Sequence, residues 1–281
     1  MSTDNGRTTS GYIPDGLRHF WESAGPTILK VLAIAAVIIP LYYGLIERPP
    51  WKSQVPLALR LSSFSSIIPT ALGIWFLKRL TLELRILLLF ICTAWLVEML
   101  TVMYSAQFDP NYVILHIYTF IEFGLLMLVF ALWQTRDKFR RILAYTVPVI
   151  VVALIYLKFW RAQTQSQPMF DDIAMTIESV VLIAAALLTL VELTSENITF
   201  VLSNPRFWVI SAVLLYFAGN IVIFALSHRV LGDANSVRVI VWTVQSALNV
   251  IANLFYAYAF LCQLRLTRSS HSPETPRTRP T

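Results

Sequence analysis

The sequence predicts an all-α fold, a polytopic transmembrane bundle of eight helices, and three observations predict it. Hydrophobic residues make up 57% of the 281 residues and charged residues only 14%, where an ordinary soluble domain carries about 25% charge. The apolar residues fall into eight runs, each long enough to cross a hydrocarbon layer, which takes about 20 helical residues. The basic residues sit between these runs and at the chain ends, a membrane pattern despite the net charge of +6. The composition excludes a soluble enzyme, a disordered chain and a disulfide scaffold, and the charge distribution gives no role to nucleic acid.

The runs cover 27–46, 55–77, 82–104, 112–132, 139–159, 173–193, 207–227 and 238–264. A polar tail, 1–26, precedes this single bundle, 27–264, and a basic tail rich in Ser, Pro and Thr, 265–281, follows it and is expected to be disordered. The first run follows Arg7, Arg18 and Lys30 but ends Tyr42-Tyr43-Gly44-Leu45-Ile46-Glu47. No small-x-small cleavage site follows, so a retained helix is predicted rather than a signal peptide. Without that helix the alternative is seven spans.

The second run carries Arg60, then Ser62, Ser63, Ser65, Ser66, Pro69 and Gly73, small residues that let helices approach closely. Glu98 in the third run lies roughly 9 Å below its outer end, and His116 in the fourth roughly 6 Å below. These levels place Glu98 and His116 in hydrogen-bonding register across a hairpin. Glu122 lies deeper, with Tyr118 and Thr119 on its own face. The fifth run follows Arg136, Lys138, Arg140 and Arg141 and holds Pro148; the sixth contributes Glu178, and the seventh Asn220. In the last run Gln245, Asn249 and Asn253 recur every four residues, a polar stripe that drifts about 40° per step and that Tyr256 extends.

With both ends in the cytoplasm, 15 of the 22 basic residues fall inside, as the positive-inside rule requires. Trp51, Trp75, Tyr104, Tyr112, Trp133, Trp160 and Trp208 lie near span ends, where amphipathic rings favour the headgroup layer. Cys92 and Cys262 have apolar neighbours and no metal or redox spacing.

Ionisable groups in the hydrocarbon layer cost at least about 2.5 kcal/mol each and usually face the bundle interior. All seven Asp residues lie outside the spans or at their edges. The candidate site is therefore Arg60, Glu98, His116, Tyr118, Glu122, Glu178, Asn220, Gln245, Asn249 and Asn253, concentrated in the outer half of the bundle. One reading is a set of separate helix-joining hydrogen bonds, each worth about 0.6 kcal/mol. The other is one water-accessible pocket, in which Arg60 pairs with a glutamate.

The chain has no H-E-x-x-H, no G-x-S-x-G, no Walker A and no G-x-G-x-x-G motif. It has no intramembrane Asp pair and no Lys midway along the last run. No cofactor or metal is expected.

Three segments carry a resemblance: His116–Phe123, Phe207–Ile210 continuing to Tyr216–Asn220, and Leu248–Asn253. Together they resemble a group of bacterial integral membrane proteins of seven or eight spans that has no assigned activity. The resemblance implies a bacterial inner membrane and adds no catalytic residue. Three functions follow as expectations: binding or transport of a small molecule in the outer cavity, a membrane scaffold or assembly role, and an embedded enzyme using Glu98 and His116 as an acid–base pair. The lack of a nucleophile or metal motif weighs against the enzyme. The expected partners are the lipid bilayer and either a small-molecule ligand or a membrane protein.

Overall fold

The computed structural model describes residue 30, residues 61–62, 64–105, 112–164, 172–196, 198–230 and 235–269. Its elements are α1 (Ile67–Trp75), α2 (Leu82–Ser105), α3 (Tyr112–Trp133), α4 (Asp137–Thr164), α5 (Asp172–Glu196), α6 (Pro205–Val230) and α7 (Asn235–Ser269), with 3-10 turns at Leu77–Arg79 and Ile198–Ser203. Among the described residues there is no strand. Among the described residues three stretches are long and apolar enough to cross a membrane: Met175–Ser195, Pro205–Ile223 and Thr243–Thr267. Ile117–Trp133 is a shorter apolar helix.

Helices α2 to α7 cover the third to eighth predicted runs. The first run, apart from Lys30, lies outside the described residues, as do the tail 1–26 and residues 270–281. Helix α7 continues to Ser269, past the predicted end of the last run at 264. Residues 265–269 are therefore helical rather than part of the tail. Thr267 Oγ1 donates to the Leu264 carbonyl at 2.9 Å there, and basic residues in a last turn complement the helix dipole.

The second run departs most from its expected form. Residues 61–62 and 64–65 are helical, Ser66 is a turn, and α1 then begins. Pro69 explains the break. It has no N–H for the Ser65 carbonyl, and its ring crowds that carbonyl. Counted from Ser66 as the cap, Pro69 stands in the first turn of α1, where a missing N–H is tolerated.

Helix α6 packs against both α5 and α7, α2 pairs with α3, and α1 rests on α7 and α2. Leu87, Leu88, Phe123, Phe130, Val213 and Phe260 are fully buried between them. Gly219 permits the close approach of α6 and α7, because a Cβ there would lie 2.1 Å from Leu248 Cδ1.

Many large apolar side chains are exposed on the outer surface. Val180, Leu187, Leu188 and Val191 are exposed on α5, and Ile142, Tyr145, Val149, Val152 and Tyr156 recur every three or four residues on α4. A continuous apolar belt of this kind fits lipid and not water. Leu187→Arg is expected to raise the insertion free energy of α5 by about 2.5–3.5 kcal/mol. A glycosylation-mapped insertion assay should show α5 largely excluded from the membrane.

Candidate functional site

One end of the bundle is rich in basic residues. The start of α2, the end of α3 and the starts of α4 and α6 meet the ends of α5 and α7 at a basic end carrying Lys78, Arg79, Arg85, Arg136, Arg141, Arg206 and Arg265. Local hydrogen bonds fix it. Asn204 caps α6 by accepting the Arg206 N–H on its Oδ1 at 2.9 Å, and Pro205 takes the first helical position. Trp208 Nε1 donates to the Leu202 carbonyl at 2.8 Å, and its ring packs edge-on against Phe255 and Tyr258 of α7. Gln134 Nε2 donates to Thr189 Oγ1 at 2.9 Å, and the Thr135 N–H donates to Glu192 Oε1 at 3.0 Å, joining the end of α3 to α5. The Thr135 hydroxyl donates to the same carboxylate oxygen. Glu192, near the end of α5, is held by this pair of bonds.

The polar residues of the bundle interior divide into two groups. One gathers where five helices meet. On α3 Tyr118 stands one turn before Glu122, beside its carboxyl. On α6 Tyr216 stands one turn before Asn220 and lies near Gln245 of α7. Electrostatic contact joins these pairs: Glu122 lies within range of Tyr216 and Tyr256, Glu178 of α5 within range of Tyr118, and Glu98 of α2 within range of Tyr216. Glu178 and Asn220 are only 3% and 5% exposed, which places a carboxyl and an amide deep in an apolar bundle. The Asn220 Oδ1 atom is buried and has no hydrogen-bond partner among the described residues.

The second group fastens α7 to the second predicted run. Asn249 Nδ2 donates to Ser62 Oγ and Asn253 Nδ2 to Ser65 Oγ, both at 2.8 Å. The Ser65 hydroxyl donates in turn to the Ser62 carbonyl at 2.6 Å. The predicted α7 stripe is thus shared between two neighbours: Gln245 turns to Tyr216, whereas Asn249 and Asn253 turn to the serines. A double-mutant cycle on Asn253→Ala and Ser65→Ala should return a coupling of about 0.6 kcal/mol, the usual size for such bonds in a bilayer. Reversible unfolding in mixed micelles measures it.

Of the residues singled out from sequence, Glu98, Tyr118, Glu122, Glu178, Asn220 and Gln245 come together. Asn249 and Asn253 belong to the serine contact. Arg60 and the His116 side chain lie outside the described residues, and so do the Arg60–glutamate and Glu98–His116 pairings. Tyr216 and Tyr256 are the members that sequence reasoning left out of the site, Tyr256 being read only as an extension of the α7 stripe. The signal for Tyr216 was its position four residues before Asn220, on one face of one helix. Cys92 and Cys262 are buried and free. Among the described residues no group of three His, Cys, Asp or Glu side chains could hold a metal ion.

A cleft of about 310 Å³ opens at the basic end between Thr81, Glu83, Trp133, Asn204, Arg206 and Gln263. It lies at the opposite end of the helices from Glu98 and Glu178. Comparisons with protein-family models, with curated proteins and with solved structures gave no match.

Proposed function

We propose that the chain is a multi-pass inner-membrane protein of eight spans whose glutamate–tyrosine cluster binds or transports a small molecule. The basic end faces the cytoplasm on this reading, together with both termini, following the positive-inside rule. The cluster then lies in the middle and outer part of the bilayer. The observation that carries the reading is the gathering of Glu98, Glu122 and Glu178 from three helices around Tyr118, Tyr216, Asn220 and Gln245. Helix joining alone needs only neutral amides and hydroxyls, as the Asn249–Ser62 and Asn253–Ser65 contacts illustrate. Buried carboxyls are expensive, and inside membranes they mark ligand or ion paths.

Single replacement of Glu98, His116 and Glu122 by Gln tests the reading, with folded yield in detergent measured beside the cellular phenotype. Normal yield with loss of phenotype supports a pocket. Loss of yield with each variant overturns it in favour of a scaffold, the reading that the asparagine–serine contacts favour.

A further inference from the structure

The cleft at the basic end combines an open cavity, hydrogen-bond donors and positive charge. Its volume of about 310 Å³ is room for a polar headgroup rather than a lone ion, since liquid water takes about 30 Å³ per molecule. Leu84 and Trp133, both buried, form the apolar part of its wall. Thr81, Asn204, Arg206 and Gln263 bring hydroxyl, amide and guanidinium donors. Arg206 is half-buried, and among the described residues no carboxylate forms an ion pair with it. Glu192 is engaged by Thr135, and Asp137 by Arg140. Glu83 is the one acid among the lining residues.

The surroundings of the cleft are both cationic and apolar. Lys78, Arg79, Arg85, Arg136 and Arg265 each stand within three residues of a lining residue, and Arg206 itself makes a sixth positive charge. Leu266 lines the cleft and is 46% exposed, and Leu202, two residues before Asn204, is 65% exposed. These two leucines bring the apolar outer surface to the cleft. A free anion would use the charge but not the leucines, and a zwitterionic lipid would bring its own cation to a rim that is already positive. Basic pockets between membrane helices suit anionic lipid headgroups. We infer that the cleft seats the headgroup of an anionic phospholipid of the phosphatidylglycerol class. Arg206 and Gln263 donate to the phosphate oxygens, Glu83 accepts from the glycerol hydroxyls, and the acyl chains lie along Leu202 and Leu266. The inference goes beyond the reading of the glutamate–tyrosine cluster and needs only that the bundle lies in a bilayer.

Native mass spectrometry of the full chain in detergent tests it, with bound lipid counted over a titration. Phosphatidylglycerol is compared with phosphatidylcholine of the same acyl chains and with soluble glycerol 3-phosphate. Phosphatidylglycerol is expected to bind at least tenfold more tightly than either. An advantage of less than tenfold over phosphatidylcholine overturns the anionic headgroup, and one of less than tenfold over glycerol 3-phosphate overturns the lipid as its source. Both comparisons use the native chain. Arg206→Gln should weaken phosphatidylglycerol at least fivefold, and Gln263→Ala, expected to cost at least threefold, serves if the first variant folds poorly. Arg140→Gln, at the same end but paired with Asp137, should weaken it less than the lining variant does. A smaller loss at the lining residue, or an equal or larger one at Arg140, overturns the cleft as the seat of the lipid.

Discussion

Gly73→Leu should strip α1 from the bundle and cost about 3 kcal/mol of stability, the upper part of the range for overpacking. The Cβ alone would lie 2.5 Å from Leu88 Cδ1 and 3.1 Å from Phe260 Cε2. Leu88 and Phe260 are both fully buried. Neither can retreat without displacing further core side chains, because interiors are packed to crystal-like density. Beyond the Cβ, the rest of a leucine would have to wedge α1 away from α2 and α7 together. Ser62 and Ser65, just ahead of α1, would then lose their register with Asn249 and Asn253. Gly124 is the control, since a Cβ there meets nothing within 4 Å. Gly124→Leu should leave the midpoint of thermal unfolding in detergent unchanged or slightly raised, as leucine favours a helix more than glycine does. Gly73→Leu should lower it by several degrees or prevent recovery of folded protein.

The second large effect falls on function rather than folding. Glu122→Gln keeps the shape of the side chain and removes one carboxylate from the centre of the cluster. Folded yield should stay near that of the native chain, because the replacement is isosteric and a neutral amide is less costly in an apolar bundle than a carboxylate. The cellular phenotype should be lost, since any charge-assisted bond made by the carboxylate is replaced by a neutral one. Folded yield in detergent and the phenotype of cells carrying each chain check both statements. A variant that fails to fold would assign Glu122 to helix packing.

Helices α2 to α7 were legible in the sequence because each coincides with an apolar run bounded by charge or by turn residues. The interruption at Ser66 was not. Hydropathy across 55–77 is continuous, and only the missing N–H of Pro69 marks the break. The extension of α7 to Ser269 was hidden for the opposite reason: Arg265 and Arg268 look like the start of a tail, although a helix end tolerates them.

For the interior, the rule that polar groups in an apolar helix turn inward was enough to select Glu98, Tyr118, Glu122, Glu178, Asn220 and Gln245. Helical periodicity gives a face but not the neighbour that face meets. This is why one stripe on α7 divides between Tyr216 and the two serines. Tyr216 escaped the same rule, because a tyrosine in a span reads as apolar unless, like Tyr118 beside Glu122, it shares a face with a charged residue. The cleft beside Arg206 and Gln263 depends wholly on how four helix ends pack, and no local pattern announces it.

The central claim is that the glutamate–tyrosine cluster lines a space that water can enter. The most direct measurement replaces Gln245 with cysteine in a chain where Cys92 and Cys262 are alanine. A membrane-impermeant methanethiosulfonate is added to the outside of intact cells, and Val244→Cys, on the exposed face of α7 next door, gives the lipid-facing control. The account predicts rapid labelling of Gln245→Cys and no labelling of Val244→Cys. Equal inertness of the two thiols in folded protein would contradict it, and would leave the cluster as a dry set of contacts between helices.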